Sequence, residues 1–270
     1  GNKLIPQIEV AVGEYRDKNT SVEDVRVLNK VALVFRHLKP LCQADIQALC
    51  DFSQEYSIDL YLQPRSVESV YKRYPEKTVE RLQYFLPDFD LTLNFHPMDF
   101  TQVNAEINQQ IVKQAVRLLN LEKEDRVLDL FCGLGNFTLA IARYCREVVG
   151  VEGNDDMVKR GEENSLLNKI SNATFHQANL NKNIENKSWL STPFTKVLID
   201  PPRSGAIEII TQIASLRAER IVYVSCNLTT LARDSALLVG EGYRLKSYGV
   251  VDMFPHTAHV ESIVQFELMN

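Results

Sequence analysis

The chain contains no C-x-x-C pair, no long apolar run, no internal repeat and no low-complexity tract. Each absence removes a class of protein. Its five cysteines, Cys42, Cys50, Cys132, Cys145 and Cys226, are odd in number and scattered, so they offer no zinc or iron-sulfur ligand set. Free thiols fit a reducing compartment, and the cytoplasm is expected. A membrane span needs roughly 18 to 20 consecutive apolar residues, and the amino terminus lacks the basic-then-apolar pattern of a secretion signal. Positive charge is also short: the formal charge is -5, so a footprint for a phosphate backbone would have to be local or sit on another domain. What the chain does have is 270 residues with 45% hydrophobic content, enough for one large domain or two unequal ones.

From Arg126 onward short apolar runs alternate with helical patterns. Strands are expected over residues 126–130, 147–151, 173–176, 196–199 and 221–225, with helices over 137–143, 157–168, 207–215 and 229–241. Two last strands near 243–252 and 261–268 are expected to pair antiparallel. This rhythm predicts an α/β fold, a Rossmann-like seven-stranded sheet built from parallel βαβ units. Ahead of it, Val103, Ile107, Ile111, Ala115 and Leu118 mark an amphipathic helix opening just after Thr101-Gln102 and covering the start of the sheet. Residues 1–93 read as a small α+β module, with strands at 25–28, 30–36 and 60–62 around a helix at 44–56. Residues 94–270 form the larger domain. The polar stretch 180–191 reads as a long surface loop.

The segment Asp129-Leu130-Phe131-Cys132-Gly133-Leu134-Gly135-Asn136-Phe137 follows the first strand of the large domain. Glycines there let the backbone approach a ligand, and an acid ending the second strand, Glu152, can bind both hydroxyls of a ribose. A dinucleotide fingerprint would need Gly or Ala where Thr138 stands. Gly133, Gly135 and Glu152 therefore suit a nucleotide-like cofactor without a pyrophosphate, S-adenosylmethionine. Cys132 reads as a small buried side chain.

Ser225-Cys226-Asn227 closes an apolar strand at the sheet edge where such folds bind ligands. A lone cysteine is most often a packed core residue. Its polar flanks favour chemistry: a thiolate that adds to carbon 6 of a pyrimidine builds enolate density at carbon 5, which can then take a methyl group. A base must afterwards remove the carbon 5 proton, and Glu261, in His259-Val260-Glu261, is the candidate. His256, His259 and Glu261 could instead ligate a metal, but no further ligand cluster appears and none is expected. Asp200-Pro201-Pro202-Arg203 has Arg203 where amino-directed methyltransferases carry an aromatic residue, and it lacks the cysteine of cytosine-5 enzymes. Uracil remains as the target.

These segments, together with Phe100-Thr101-Gln102-Val103-Asn104 and Asp252-Met253-Phe254-Pro255-His256-Thr257, resemble the RNA uracil-5 methyltransferases over nearly the whole chain. The wording is most similar to the branch that acts on bacterial 23S ribosomal RNA. The resemblance implies a class I S-adenosylmethionine-dependent methyltransferase, with Cys226 as nucleophile and Glu261 as base. It also implies Gln102, Phe131, Asn136, Glu152, Asn179 and Asp200 as cofactor contacts. The implied partner is RNA, with no membrane, and the chain is expected to be a monomer. Members of that branch begin with an RNA-binding TRAM domain and an iron-sulfur cysteine set. This chain shows neither and starts at Gly1-Asn2, so residues 1–93 are expected to be the remnant of a central domain in a trimmed protein. A transfer-RNA enzyme, or an RNA-binding or folding module without turnover, are the alternatives.

Overall fold

The computed structural model describes residues 4–16, 27–77, 81–184, 187–253, 256–257 and 260–269. The chain divides into two compact units, Gly1–Phe85 with Asn94–Thr101, and Leu86–Leu93 with Gln102–Asn270.

In the first unit β1 (Gln7–Arg16) pairs antiparallel with β2 (Val27–Arg36), which is followed by α1 (Gln43–Glu55). Next, β3 (Asp59–Gln63) lies parallel to β2, and β4 (Tyr71–Tyr74) completes the order β1-β2-β3-β4. The strands expected at 25–28 and 30–36 are one strand, apart from residues 25 and 26, which lie outside the described set. Backbone pairing carries β2 through the polar Asn29 and Lys30, which face Glu14 and Gly13. Helix α1 opens on a capping box in which Cys42 Sγ accepts the Asp45 N–H and the Asp45 carboxylate accepts the Cys42 N–H. Leu49 and Cys50 on α1 cover Phe35, Leu60 and Leu62. The expected boundary at residue 93 falls inside a hairpin of β5 (Leu82–Leu86) and β6 (Leu91–Phe95).

The second unit contains α2 (Ala105–Leu119), which begins later than the apolar spacing suggests. Asn104 Oδ1 accepts the Ile107 N–H at 3.2 Å and so fixes the start. Val103 is therefore outside the helix and 83% exposed. Buried Ile111, Val112, Ala115 and Leu119 form its inner stripe. There follow β7 (Arg126–Leu130), α3 (Thr138–Ala142), β8 (Glu147–Glu152), α4 (Asp155–Leu167) and β9 (Ala173–Gln177). The chain continues through β10 (Lys196–Ile199), α5 (Ile210–Ser215), β11 (Arg220–Ser225), α6 (Leu228–Gly240), β12 (Tyr243–Val251) and β13 (Glu261–Leu268). They form a seven-stranded sheet in the order β12-β13-β11-β10-β7-β8-β9. All neighbours are parallel except β13, which is antiparallel to both β11 and β12. The expected α/β Rossmann-like sheet and antiparallel last pair are thus present. Helix α2 packs chiefly on β10, β11 and β13.

Strands covered on both faces read as unbroken apolar runs. Leu128, Val148, Val197 and Ile221 are each fully buried, and burying such a side chain contributes about 1.5–3 kcal/mol. The stretch 180–191, expected as a surface loop, leaves Asn181, Lys182, Asn183, Lys187, Ser188 and Ser191 exposed, while its Leu180, Ile184 and Trp189 enter the core. The Arg126 guanidinium, stacked on Phe194, holds it by donating to Trp189 O (3.2 Å) and Thr192 O (2.6 Å). Among the described residues no helix is long and apolar enough to cross a membrane.

Candidate active site

The carboxyl ends of β7, β8, β10 and β11 lie along one edge of the sheet. The amino end of β13 joins them because that strand runs the other way. Strand order reverses between β7 and β10, the switch point where open α/β sheets bind ligands. Sequence order hides this convergence, which parallel pairing produces.

The loop after β7 is held from β8. Phe131, at φ 63°, and Cys132 both donate their N–H to Val151 O, at 2.9 and 3.2 Å. Glu152 Oε2 accepts the Gly133 N–H at 3.1 Å, and its Oε1 accepts those of Gly153 (2.7 Å) and Asn154 (2.9 Å). A carboxylate offers roughly four acceptor positions, so Glu152 can tie the loop and still accept from a ribose hydroxyl. Gly135 sits at φ +96°, where a side chain would be strained, and a Cβ would stand 3.2 Å from Leu139 and Phe175. Asn136 exchanges amide hydrogen bonds with buried Asn108 of α2, at 2.9 and 3.1 Å.

Beneath the loop Asp129 is fully buried. One carboxylate oxygen accepts from Thr138 Oγ1 at 2.5 Å, and the other has no hydrogen-bond partner among the described residues. Burial pushes its pKa up to about 7, against the Thr138 hydrogen bonds. Cys132 is buried, and burial drives its thiol well above the ordinary range, with Asp129 and Glu152 adding to the effect. It is the packed residue expected from the sequence.

Asp200 follows β10 and is anchored by its N–H to Leu130 O at 3.2 Å. Its carboxyl is held well above the usual range, first by burial and then by the charges of Glu261 and Asp129. Across β11 and β13 Ser225 faces Ser262, so Cys226 leaves its strand beside Glu261. Cys226 is half-buried and Glu261 only 6% exposed. Burial raises the carboxyl of Glu261. It also raises the thiol of Cys226, helped by Glu261 and Asp200 and opposed by Arg203. The turn is set by Asn227, which caps α6 through Thr229 N–H (3.0 Å) and donates to Arg203 O (3.0 Å).

Of the expected residues, Phe131, Gly133, Gly135, Asn136, Glu152, Asp200, Cys226 and Glu261 share this edge. Gln102 stands half-buried ahead of α2, and Asn179 is exposed after β9, its side chain accepting the Asn181 N–H at 2.9 Å. Among the described residues no hydrogen bond joins either to the others. His256 is exposed at φ 69°. His259, Phe254 and Pro255 lie outside the described residues, and among those described no cluster of His, Cys, Asp or Glu is arranged to hold a metal. Two buried polar groups went unread, Asn108 and Asp234. The available signal was a polar residue inside the apolar stripe of a helix: Asn108 beside Ile111 and Val112, Asp234 between Leu231 and Leu238.

The raised thiol makes a pH test. The reactive thiolate is lost as pH falls through a pKa above the ordinary 9.0. Alkylation of Cys226 by iodoacetamide, followed on its own peptide, should therefore have a midpoint above 9.0. Arg203→Ala should move the midpoint higher still. A midpoint near neutral pH would mean that the surroundings of Cys226 have been misread.

A switch-point cleft with a glycine loop, an acid ending β8 and this strand order has the fold of class I S-adenosylmethionine-dependent methyltransferases. Residues 20–268 match the family described as tRNA (Uracil-5-)-methyltransferase, and the chain belongs to that family. It is 51% identical over 98% of its length to the 23S rRNA (uracil(1939)-C(5))-methyltransferase RlmD of Legionella pneumophila. With the enzyme of the same name from Hahella chejuensis it is 49% identical over 99%. The chain spans 57% and 58% of the length of these relatives. The solved tRNA (uracil-54, C5)-methyltransferase of Pyrococcus abyssi, in complex with S-adenosyl-L-homocysteine, superposes with a TM-score of 0.69 at 27% identity. That match covers 88% of this chain and 56% of the other.

Proposed function

We propose that this chain is the catalytic part of an enzyme that transfers a methyl group from S-adenosylmethionine to carbon 5 of a uridine in RNA, through a covalent adduct on Cys226. The observation that carries the reading is the pairing of Cys226 with Glu261 at the edge that also bears the Gly133–Glu152 loop. Similarity to the 51% identical relatives favours 23S ribosomal RNA over transfer RNA. In this reading the chain works as a monomer in the cytoplasm.

The residues at the edge fit the methyl donor. In this reading Glu152 takes the ribose hydroxyls, Phe131, Asn136 and Asp200 contribute from the same edge, and Gln102 and Asn179 add contacts from outside it. When bound, S-adenosylmethionine supplies an electrophilic methyl on a sulfonium and departs as a neutral thioether. The target uridine must be unstacked to present carbon 6 to the thiolate. Cys226 first releases its proton to solvent, and the thiolate bonds to carbon 6, moving electron density onto carbon 5. Once carbon 5 carries the methyl, Glu261 takes the carbon 5 proton, the carbon 6–sulfur bond breaks and the thiolate returns. One proton is released per turnover. The raised carboxyl of Glu261 makes it a stronger base than a solvated glutamate.

The test is incubation with S-adenosylmethionine and an RNA carrying 5-fluorouridine at the target. Fluorine replaces the proton that Glu261 would remove, so the methylated adduct should persist on a denaturing gel and map to Cys226. An RNA-binding module without turnover would give no adduct, and that result would end the proposal.

A further inference from the structure

Helix α6 does more than follow Cys226. Its cap Asn227 and three of its own side chains meet the loop that leaves Asp200-Pro201-Pro202. Asn227 Nδ2 donates to Arg203 O at 3.0 Å, Thr230 Oγ1 lies 3.1 Å from Asn227 O and 3.4 Å from Arg203 O and shares its hydrogen between them, and Arg233 donates to Ser204 O at 2.9 Å. Asp234 Oδ2 accepts the Ala206 N–H at 2.7 Å. The same oxygen accepts the Tyr223 hydroxyl at 2.7 Å, and Oδ1 accepts from Arg233 at 2.8 Å. Asp234 and Tyr223 are both fully buried. The loop closes on this carboxylate without slack: Gly205 is at φ +79°, and a Cβ there would lie 2.6 Å from Asp234 Oδ2.

A charge buried on the inner stripe of a helix is costly unless fully hydrogen-bonded, and its partners here belong to the two segments that must meet for the chemistry. Tyr223 lies on β11, three positions before Cys226. Ala206 ends the segment that presents Arg203. Asp200, by contrast, is fixed from β7 through Leu130 O. The two ends of the Asp200–Ala206 segment thus have separate anchors, one on the cofactor side and one on the side of the reacting base.

We infer that Asp234 is a positioning residue for methyl transfer, holding the Arg203–Ala206 loop against the strand that ends at Cys226. The inference rests on the function proposed above. It makes a split that a purely structural role would not: loosening this anchor slows attack on the base and leaves cofactor affinity alone.

The experiment uses the 270-residue chain with the 5-fluorouridine RNA. Asp234→Ala should slow adduct formation at least about tenfold while S-adenosylmethionine affinity by calorimetry stays within about threefold, these being losses of a buried charged acceptor. Asp234→Asn keeps an oxygen for the Ala206 N–H and should recover most of the rate. Tyr223→Phe cuts the strand side of the same anchor and leaves the loop bond, so its adduct rate should also fall, by less than that of Asp234→Ala, with cofactor affinity unchanged. Should Asp234→Ala fail to bind cofactor, Gly205→Ala decides, since it displaces the loop with Asp234 intact and should show the same slow adduct. A wild-type chain that forms no adduct overturns the functional reading, and this role with it. A wild-type chain that forms the adduct, beside a cofactor-binding Asp234→Ala or Gly205→Ala chain that forms it equally fast, overturns the positioning role alone.

Discussion

Cys226→Ala is expected to abolish methyl transfer, by about 10⁴-fold or more, a loss of the size seen when an enzyme's nucleophile is removed. Without the thiolate carbon 5 of uracil has no enolate density with which to attack, and the two other cysteines of the same unit are poorly suited to take its place. Cys132 is buried and its thiol is driven well above the ordinary range. Cys145 is buried too, its thiol pushed up to about 12 by burial first. S-adenosylmethionine affinity should stay within about threefold, because in the proposed reaction the thiol acts on the base while the ribose falls to Glu152, which also holds the Gly133 N–H. Both quantities are measured on one preparation, turnover by label transfer and affinity by calorimetry. Residual turnover above about one per cent would remove covalent catalysis from the account. A large loss of affinity would instead place Cys226 inside the cofactor site.

The parts of this site visible in the sequence were those written in short range. The loop from Phe131 to Asn136, and Glu152, Asp200 and Cys226, each end or follow a mostly apolar strand, and parallel pairing then brings those ends together without further information. The meeting of Cys226 with Glu261 is of another kind. It needs β13 to insert between β11 and β12 in antiparallel register, and periodicity says nothing about which neighbour a strand chooses. The first unit was read less well for a related reason. Its strand β2 passes through polar Asn29 and Lys30 in continuous pairing, which side-chain alternation reports as a break. The start of α2 moved because a cap at Asn104 outranks an apolar residue at Val103. Asn108 and Asp234 stayed hidden because their partners, Asn136 and Ala206, each lie 28 residues away. A buried polar residue announces that it must be satisfied, not by what.

Glu261→Gln should separate the two halves of the reaction. Glutamine keeps the shape at the start of β13 but cannot accept the carbon 5 proton, so turnover should fall by about 10² to 10⁴, the usual contribution of general-base catalysis. The first half should survive. The negative charge of Glu261 is one of the groups that raise the Cys226 thiol, so its removal lowers that pKa and enlarges the thiolate population at a given pH. The variant should therefore build up the methylated adduct with ordinary uridine RNA, where the wild-type chain passes through it, and its Cys226 alkylation midpoint should shift to lower pH. These effects have opposite signs, slower turnover beside a more reactive thiol. A general loss of structure would also lower the thiol toward its ordinary value by ending its burial, but it would give no adduct, so the adduct separates the two. Labelled cofactor with RNA on a denaturing gel reads the first, and peptide alkylation across pH reads the second. Normal turnover with no slow-migrating band would move the base elsewhere, and His256, which is exposed, would be the next residue to replace.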